Sequence, residues 1–404
     1  MKTKFAKSAV VTCLLLAAAI AHGHESHTSS VAAPRSEFGA SAAFAADGSL
    51  WAVAKAGGHV VLRRSSDRGG SWSDPIRVNA ATEAIAADGD ARPKIALGAQ
   101  NEIYVSWTQP LSRPYSGHIR FARSVDAGAS FSAPLTVNRD RAEITHRFDA
   151  LAVNAEGKVF VAWIDKRDQE LAKKAQRNYR GAAIYVAVSG DRGESFGSEQ
   201  RVADHSCECC RIALAANPDG SVWALWRHVF SPNVRDHAVA RIAADGTPGP
   251  IKRATADDWR IDACPHQGPG LAVDAEAGVH AVWYTGGPRG GVFYGRIGTD
   301  ASIGTDASGA AASVSNRRRL GGDGAAHADI VAAGRRILVV WKEFDGRETQ
   351  LKASVSDDLG ATWRDRLLAA TNGASDQPRA LAHGNRFLVF WHSAERPFAT
   401  FEAP

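Results

Sequence analysis

The sequence predicts an all-β fold, a β-propeller of four-stranded blades with seven blades favoured over six, and three observations carry that expectation. First, a short β-rich run, often closed by tryptophan, occurs seven times: Leu50-Trp51-Ala52-Val53, Ile103-Tyr104-Val105-Ser106-Trp107, Val159-Phe160-Val161-Ala162-Trp163, Val222-Trp223-Ala224-Leu225-Trp226, Val279-His280-Ala281-Val282-Trp283, Ile337-Leu338-Val339-Val340-Trp341 and Phe387-Leu388-Val389-Phe390-Trp391. Their spacing, about 50–63 residues, is what one four-stranded blade consumes. Second, each run follows a segment of alternating apolar residues and a turn, the period of a strand and not of a helix. Third, a turn motif repeats: Ser65-x-Asp67-x-Gly69-x-Ser71-Trp72 returns at Ser124/Asp126/Gly128/Ser130/Phe131, at Ser189/Asp191/Gly193/Ser195/Phe196 and at Ser356/Asp358/Gly360/Thr362/Trp363.

Taken in chain order, the first element is an export signal. Lys2, Lys4 and Lys7 precede an apolar run from Ala9 to Ile20, and Ala19-Ile20-Ala21 has the small-x-small form of a signal-peptidase site. Residues 1–21 are therefore expected to be removed, leaving a mature chain that starts at His22. The run is too short for a permanent membrane span, and no later stretch reaches ~18 uninterrupted apolar residues. A periplasmic or secreted protein without stable membrane insertion is expected. Cleavage removes three lysines and no acid, lowering the formal charge from +5 to about +2, so the basic balance gives no reason to expect a nucleic-acid partner. Hydrophobic residues make up 45% and charged residues 23% of the 404, which suffices for a sizeable core. Length alone suggests two or three domains, but the repeats favour one propeller over residues 37–404. Residues 22–36 form a histidine-containing tail.

The four turn motifs resemble the Asp boxes of the sialidase (BNR-repeat) superfamily. Asp67, Asp126, Asp191 and Asp358 are suited to accept backbone N–H bonds inside a tight hairpin, while glycine supplies positive φ and the aromatic packs back under the turn. Two segments interrupt the pattern. Residues 166–181 are polar and basic and predict a helical or mobile insertion between the second and third strands of the third unit, read as a solvated loop or a docking surface. Residues 298–325 are rich in Gly, Ala and Ser and predict a long surface loop where the fifth unit would carry its motif. The last unit stops soon after its third strand, so residues near Glu37 are expected to supply a missing outer strand.

The chemistry is concentrated in the cysteines. Cys13 lies in the export signal, and the other four are His205-x-Cys207-x-Cys209-Cys210 and Cys264-Pro265-His266. On an extended strand His205, Cys207 and Cys209 would share one side and Cys210 would face the other. Cys264 and His266, about one blade later, would approach from the neighbouring loop. Several thiolates with imidazoles suit a soft ion, Cu(I) before Zn(II). A structural disulfide linking Cys209 or Cys210 to Cys264 is the competing reading, because exported proteins meet an oxidising compartment. The tail adds a second copper signal: with His22 first and His24 third, the terminal amine, two backbone amides and the His24 imidazole make a square-planar nitrogen set for Cu(II).

Around the cluster, Cys207-Glu208-Cys209-Cys210, Arg235-Asp236 and Cys264-Pro265-x-x-Gly268-Pro269 resemble a bacterial subgroup of sialidase-like propellers with Cys-x-Cys-Cys and Cys-Pro-x-x-Gly-Pro motifs. This resemblance makes Arg235, Asp236 and Trp259 candidates for supporting the same site. Superfamily membership implies fold, not hydrolysis. The arginine-isoleucine-proline signature of sialidases is absent, no tyrosine sits in an evident pair with a glutamate, and no catalytic residue is assigned. Arg92 and Arg379 nonetheless begin inner strands and can reach the axis. The expected function is an exported copper-binding propeller in copper acquisition, delivery or detoxification, exchanging metal with a copper transporter or periplasmic metallochaperone; nothing demands an enzyme. The alternative is a glycan-binding or glycan-hydrolysing propeller with structural cysteines.

N-terminal sequencing of the exported protein is expected to begin His-Gly-His. A start displaced by one residue would abolish the proposed Cu(II) chelate.

Overall fold

In the computed structural model, which describes residues 37–298 and 314–403, seven antiparallel sheets form a closed ring. They span 41–77, 94–136, 146–206, 213–253, 270–320, 325–371 and 379–403, as blades one to seven. Six have four strands and the seventh has three. The first strand of each blade touches the first strand of the next, and that of blade seven touches that of blade one. No helix among the described residues is long and apolar enough to cross a membrane.

Strand alternation explains why the ring packs. Along Leu50–Ala56, Leu50, Ala52 and Ala54 join a core shared with blade seven, while Trp51 and Val53 join a core shared with blade two. In blade three Phe160, Ala162 and Ile164 face blade four, whereas Val159, Val161 and Trp163 face blade two. The seven tryptophan-rich runs are thus second strands with apolar residues on both faces, each face filling a different seam. Their burial removes nearly all of that surface from water, the main favourable contribution to folding.

The Asp motifs cap the turns between third and fourth strands of blades one, two, three and six. In the first, the Asp67 carboxylate accepts bonds from the Ser71 hydroxyl (2.7 Å) and Ser71 N–H (2.8 Å), and the Ser65 hydroxyl donates to it at 2.7 Å. The Ser71 bonds lead the interactions that hold its pKa at about 2. Gly69 takes φ +92°, a conformation costly for any residue with a Cβ. The aromatic packs against the preceding blade rather than solely under its own turn. Trp72 meets Phe390 and Phe398 of blade seven, Phe196 meets Phe121 of blade two, and Trp363 meets Tyr294 of blade five. Each motif is therefore also an interblade staple.

Three local expectations are refined. Residues 166–181 contain a helix, Arg167–Lys174, between the second and third strands of blade three. Part of 298–325 is not loop: Val314–Leu320 is the outer strand of blade five, paired with Gly291–Ile297. Its arginines are compatible with an outer strand because their stems cover aromatic faces, as Arg317 does over Phe293 at 4.1 Å. Among the described residues blade seven has three strands, and the residues before Glu37 lie outside them. Glu37 itself pairs with Lys55 of blade one.

Closure rests on side chains. Arg92, 2% exposed, makes a two-pronged pair with Asp376 (2.7 Å to each oxygen) and donates to Ala40 O at 2.8 Å; Ala40 N–H in turn donates to Asp376 at 3.0 Å. This joins blades one and two to the segment entering blade seven. Changing Arg92 to Met leaves a buried carboxylate without its cation and is expected to cost about 3–5 kcal/mol, measured by chemical denaturation. The double change R92M/D376L is expected to recover much of that loss.

Candidate metal centre

The cluster lies in the connection between the last strand of blade three, Gln200–Ser206, and the first of blade four, Ala213–Ala216. The strand ends at Ser206, whose hydroxyl donates to Ala182 O at 2.8 Å, and Cys207 N–H donates to Arg227 O at 2.9 Å. Residues 207–210 then turn. Gly181 permits the close approach, since a Cβ there would lie 2.0 Å from Ser206 O.

Because the chain turns, Cys210 does not face away as an extended strand would require. Its sulfur lies 3.5 Å from that of Cys207, and Cys209 lies 3.7 Å from Cys207. The three sulfurs are all within 4.8 Å of one another and form the metal-capable group of His, Cys, Asp or Glu found among the described residues. All three are buried in the seam between blades three and four, at 1%, 5% and 2% exposure, and all are free thiols. Between them Glu208 turns outward to Lys166 and to Gln169 Nε2 (3.2 Å). The helix inserted in blade three thereby anchors the turn that carries the thiols.

Cys209 and then Cys210 hydrogen-bond to Cys207 and hold its pKa well below the ordinary thiol value, with Arg227 adding to the effect. The same contacts raise Cys209, and Cys210 is pushed up to about 12. Three sulfurs thus share one hydrogen-bonded group in which Cys207 is the one favoured to ionise. A soft cation displacing the thiol protons would find three sulfurs already converged.

Two arginines overlooked in the sequence frame the group. Arg211, directly after Cys210, donates to Asp90 (3.1 Å), Gln377 (3.1 Å), Pro269 O (2.8 Å) and Ala328 O (2.5 Å). Gly268 presses on its backbone, and a Cβ there would stand 2.6 Å from Arg211 N. Arg227 is 1% exposed and donates to three carbonyls, Arg235 O (2.9 Å), Gln267 O (3.0 Å) and Tyr284 O (2.7 Å). Its Nε has no partner, its guanidinium lies 4.9 Å from the Trp259 ring centre, and no carboxylate bonds to it among the described residues. The available signal was position: Arg227 ends the same tryptophan-rich run in blade four.

The other candidates are placed differently. His205 lies outside the thiol group, with its ring 4.7 Å from Tyr179 and Nδ1 3.2 Å from Arg180 O. Cys264 is exposed and, like His266, stands outside the group. Asp236 is paired with Arg253 rather than Arg235, and burial raises its pKa. Arg235 Nε bonds to Asn233 at 3.0 Å. Trp259 stands outside the group and packs against Arg227. Cys13, His22 and His24 lie outside the described residues. At the axis, Arg92 and Arg379 are engaged by Asp376 and Asp329. Three tyrosine hydroxyls meet Asp204, Asp168 and His280 rather than a glutamate.

No protein family and no curated protein matches the chain in sequence. Among solved structures, an ulvan lyase of polysaccharide lyase family PL25, bound to -[GlcA(1-4)Rha3S]-, is similar at TM-score 0.53 and 11% identity, covering 90% of this chain and 93% of that one. A protein of unknown function from Dyadobacter fermentans gives TM-score 0.50 and 14% identity over 77% and 92%. A Hadza microbial sialidase gives 0.48 and 14% over 90% and 64%. At these identities the likeness concerns the propeller fold alone.

Thiol titration of reduced native protein is expected to label Cys264 rapidly, with Cys207, Cys209 and Cys210 reacting only after denaturation. Rapid labelling of all four would show that the seam does not enclose the cluster.

Proposed function

We propose that this sialidase-like propeller is an exported copper-binding protein that holds Cu(I) between Cys207, Cys209 and Cys210 and serves copper acquisition, delivery or detoxification. The observation that carries this reading is the convergence of three buried thiols on one turn. Thiolate sulfur and a low coordination number suit Cu(I), whereas structural Zn(II) asks for a fourth ligand. Three thiolates with one monovalent cation would carry two negative charges into an apolar seam. A nearby buried cation offsets part of that cost, and Arg227, which lacks a carboxylate partner among the described residues, is the group that supplies it. Cys264, on the loop whose Gln267 carbonyl Arg227 grips, offers an exposed thiol for exchange with a transporter or metallochaperone. His22 and His24 would capture Cu(II) at the tail.

A second reading, engagement of a glycan, is favoured by the fold's resemblance to an ulvan lyase at TM-score 0.53 and by an aromatic and cationic basin beside Trp259. The axial arginines are occupied by aspartates, which favours binding over sialidase chemistry.

Titrating Cu(I) anaerobically against a chromophoric chelator is expected to give one tightly held ion beyond any tail site. C207S, C209S or C210S is expected to weaken it at least a hundredfold, R227Q about tenfold, and C264S far less. Unchanged stoichiometry in the triple serine variant would overturn the assignment.

A further inference from the structure

The loop that follows blade four and the hairpin between the second and third strands of blade five enclose an open basin of about 1140 Å³. Its chemistry is not that of a solvated crevice. Trp259 forms an aromatic wall, held from behind by Arg227 at 4.9 Å and set edge-on to Tyr284 at 5.7 Å. The Gly286 backbone approaches the indole so closely that a Cβ would lie 2.4 Å from it. An aromatic ring fixed on two sides while remaining partly exposed is a preorganised stacking surface and loses little freedom on binding.

The charges around it divide into two kinds. Arg317 is paired with Asp257 (2.6 Å) and Arg319 with Asp323 (2.6 Å). Arg260 and Arg289, both exposed basin residues, have no ion pair among the described residues. Thr285 is only 3% exposed, lines the basin, and its hydroxyl has no hydrogen-bond partner. A buried hydroxyl without a partner costs free energy that a ligand can recover. Together the elements are a flat apolar platform, an unsatisfied hydroxyl and two uncommitted guanidiniums.

We infer that this basin binds an acidic saccharide, one sugar ring lying on Trp259 and its carboxylate or sulfate meeting Arg260 and Arg289. This inference rests on the glycan reading above and is independent of the copper site. A pyranose presents the C–H face that an indole accepts, and guanidinium forks match planar anions. A nucleic-acid strand fits less well, because Arg317 and Arg319 are already paired with Asp257 and Asp323, which leaves Arg260 and Arg289 rather than a continuous cationic track for phosphates.

Calorimetry of the full exported protein with an oligogalacturonide, a heparin-derived tetrasaccharide, neutral cellotetraose and a short oligothymidylate tests the inference and separates the two anion sources. Binding of at least one acidic saccharide is expected, tighter than cellotetraose and oligothymidylate. W259A and R260Q/R289Q should each weaken it at least tenfold, and W259F should retain most of it. Because Arg260 and Arg289 are exposed, their variant keeps the test valid should W259A unfold. Acidic-saccharide binding that both basin variants retain would overturn the location while preserving the glycan reading. Absence of any saccharide binding would overturn both, and tighter oligothymidylate binding would reassign the basin.

Discussion

The Arg211 guanidinium is the tie on which the functional region depends. Buried at the axis, it donates to the second, fifth, sixth and seventh sectors of the ring through Asp90, Pro269, Ala328 and Gln377. Arg211 also follows Cys210 directly, so the same residue that draws sectors together fixes the end of the thiol-bearing turn. Burial alone would make such a cation costly. Asp90, held at about 2 by opposition between its desolvation and the arginine charge, supplies the compensation. The ring and the cluster are consequently not separable layers of the structure.

A second cation gives the seam its polarity. Arg227 binds carbonyls where a carboxylate would have neutralised it, and its charge therefore remains available to the sulfurs and to the Trp259 ring. Carbonyl acceptors satisfy most of its donors without cancelling its field. The three cysteines also pack as small apolar residues of the core between blades three and four.

Much of the fold was legible because β structure repeats. Two-sided apolar runs such as Val159–Trp163 and Ile337–Trp341 can only be strands buried on both faces, and four copies of the Asp motif mark the turns. The outer strand Val314–Leu320 was illegible because its arginines mask strand alternation, and their partners, such as Phe293 under Arg317 and Asp365 beside Arg318, are distant in sequence. How blade seven is tied to its neighbours was likewise a question of space, since the Arg92–Asp376 pair joins residues 284 positions apart.

The local sequence by itself determined the alternating strands, the turns that aspartate and glycine make obligatory, and the crowding of Cys207, Cys209 and Cys210 into four residues, since each follows from short-range stereochemistry. Only the tertiary structure decided that Cys210 turns inward while His205 and Cys264 stay outside, that Asp236 takes Arg253, and that Arg227 is buried without a carboxylate. These outcomes depend on which distant chain segments share a seam, and no local pattern encodes the desolvation and the long-range contacts that select among them.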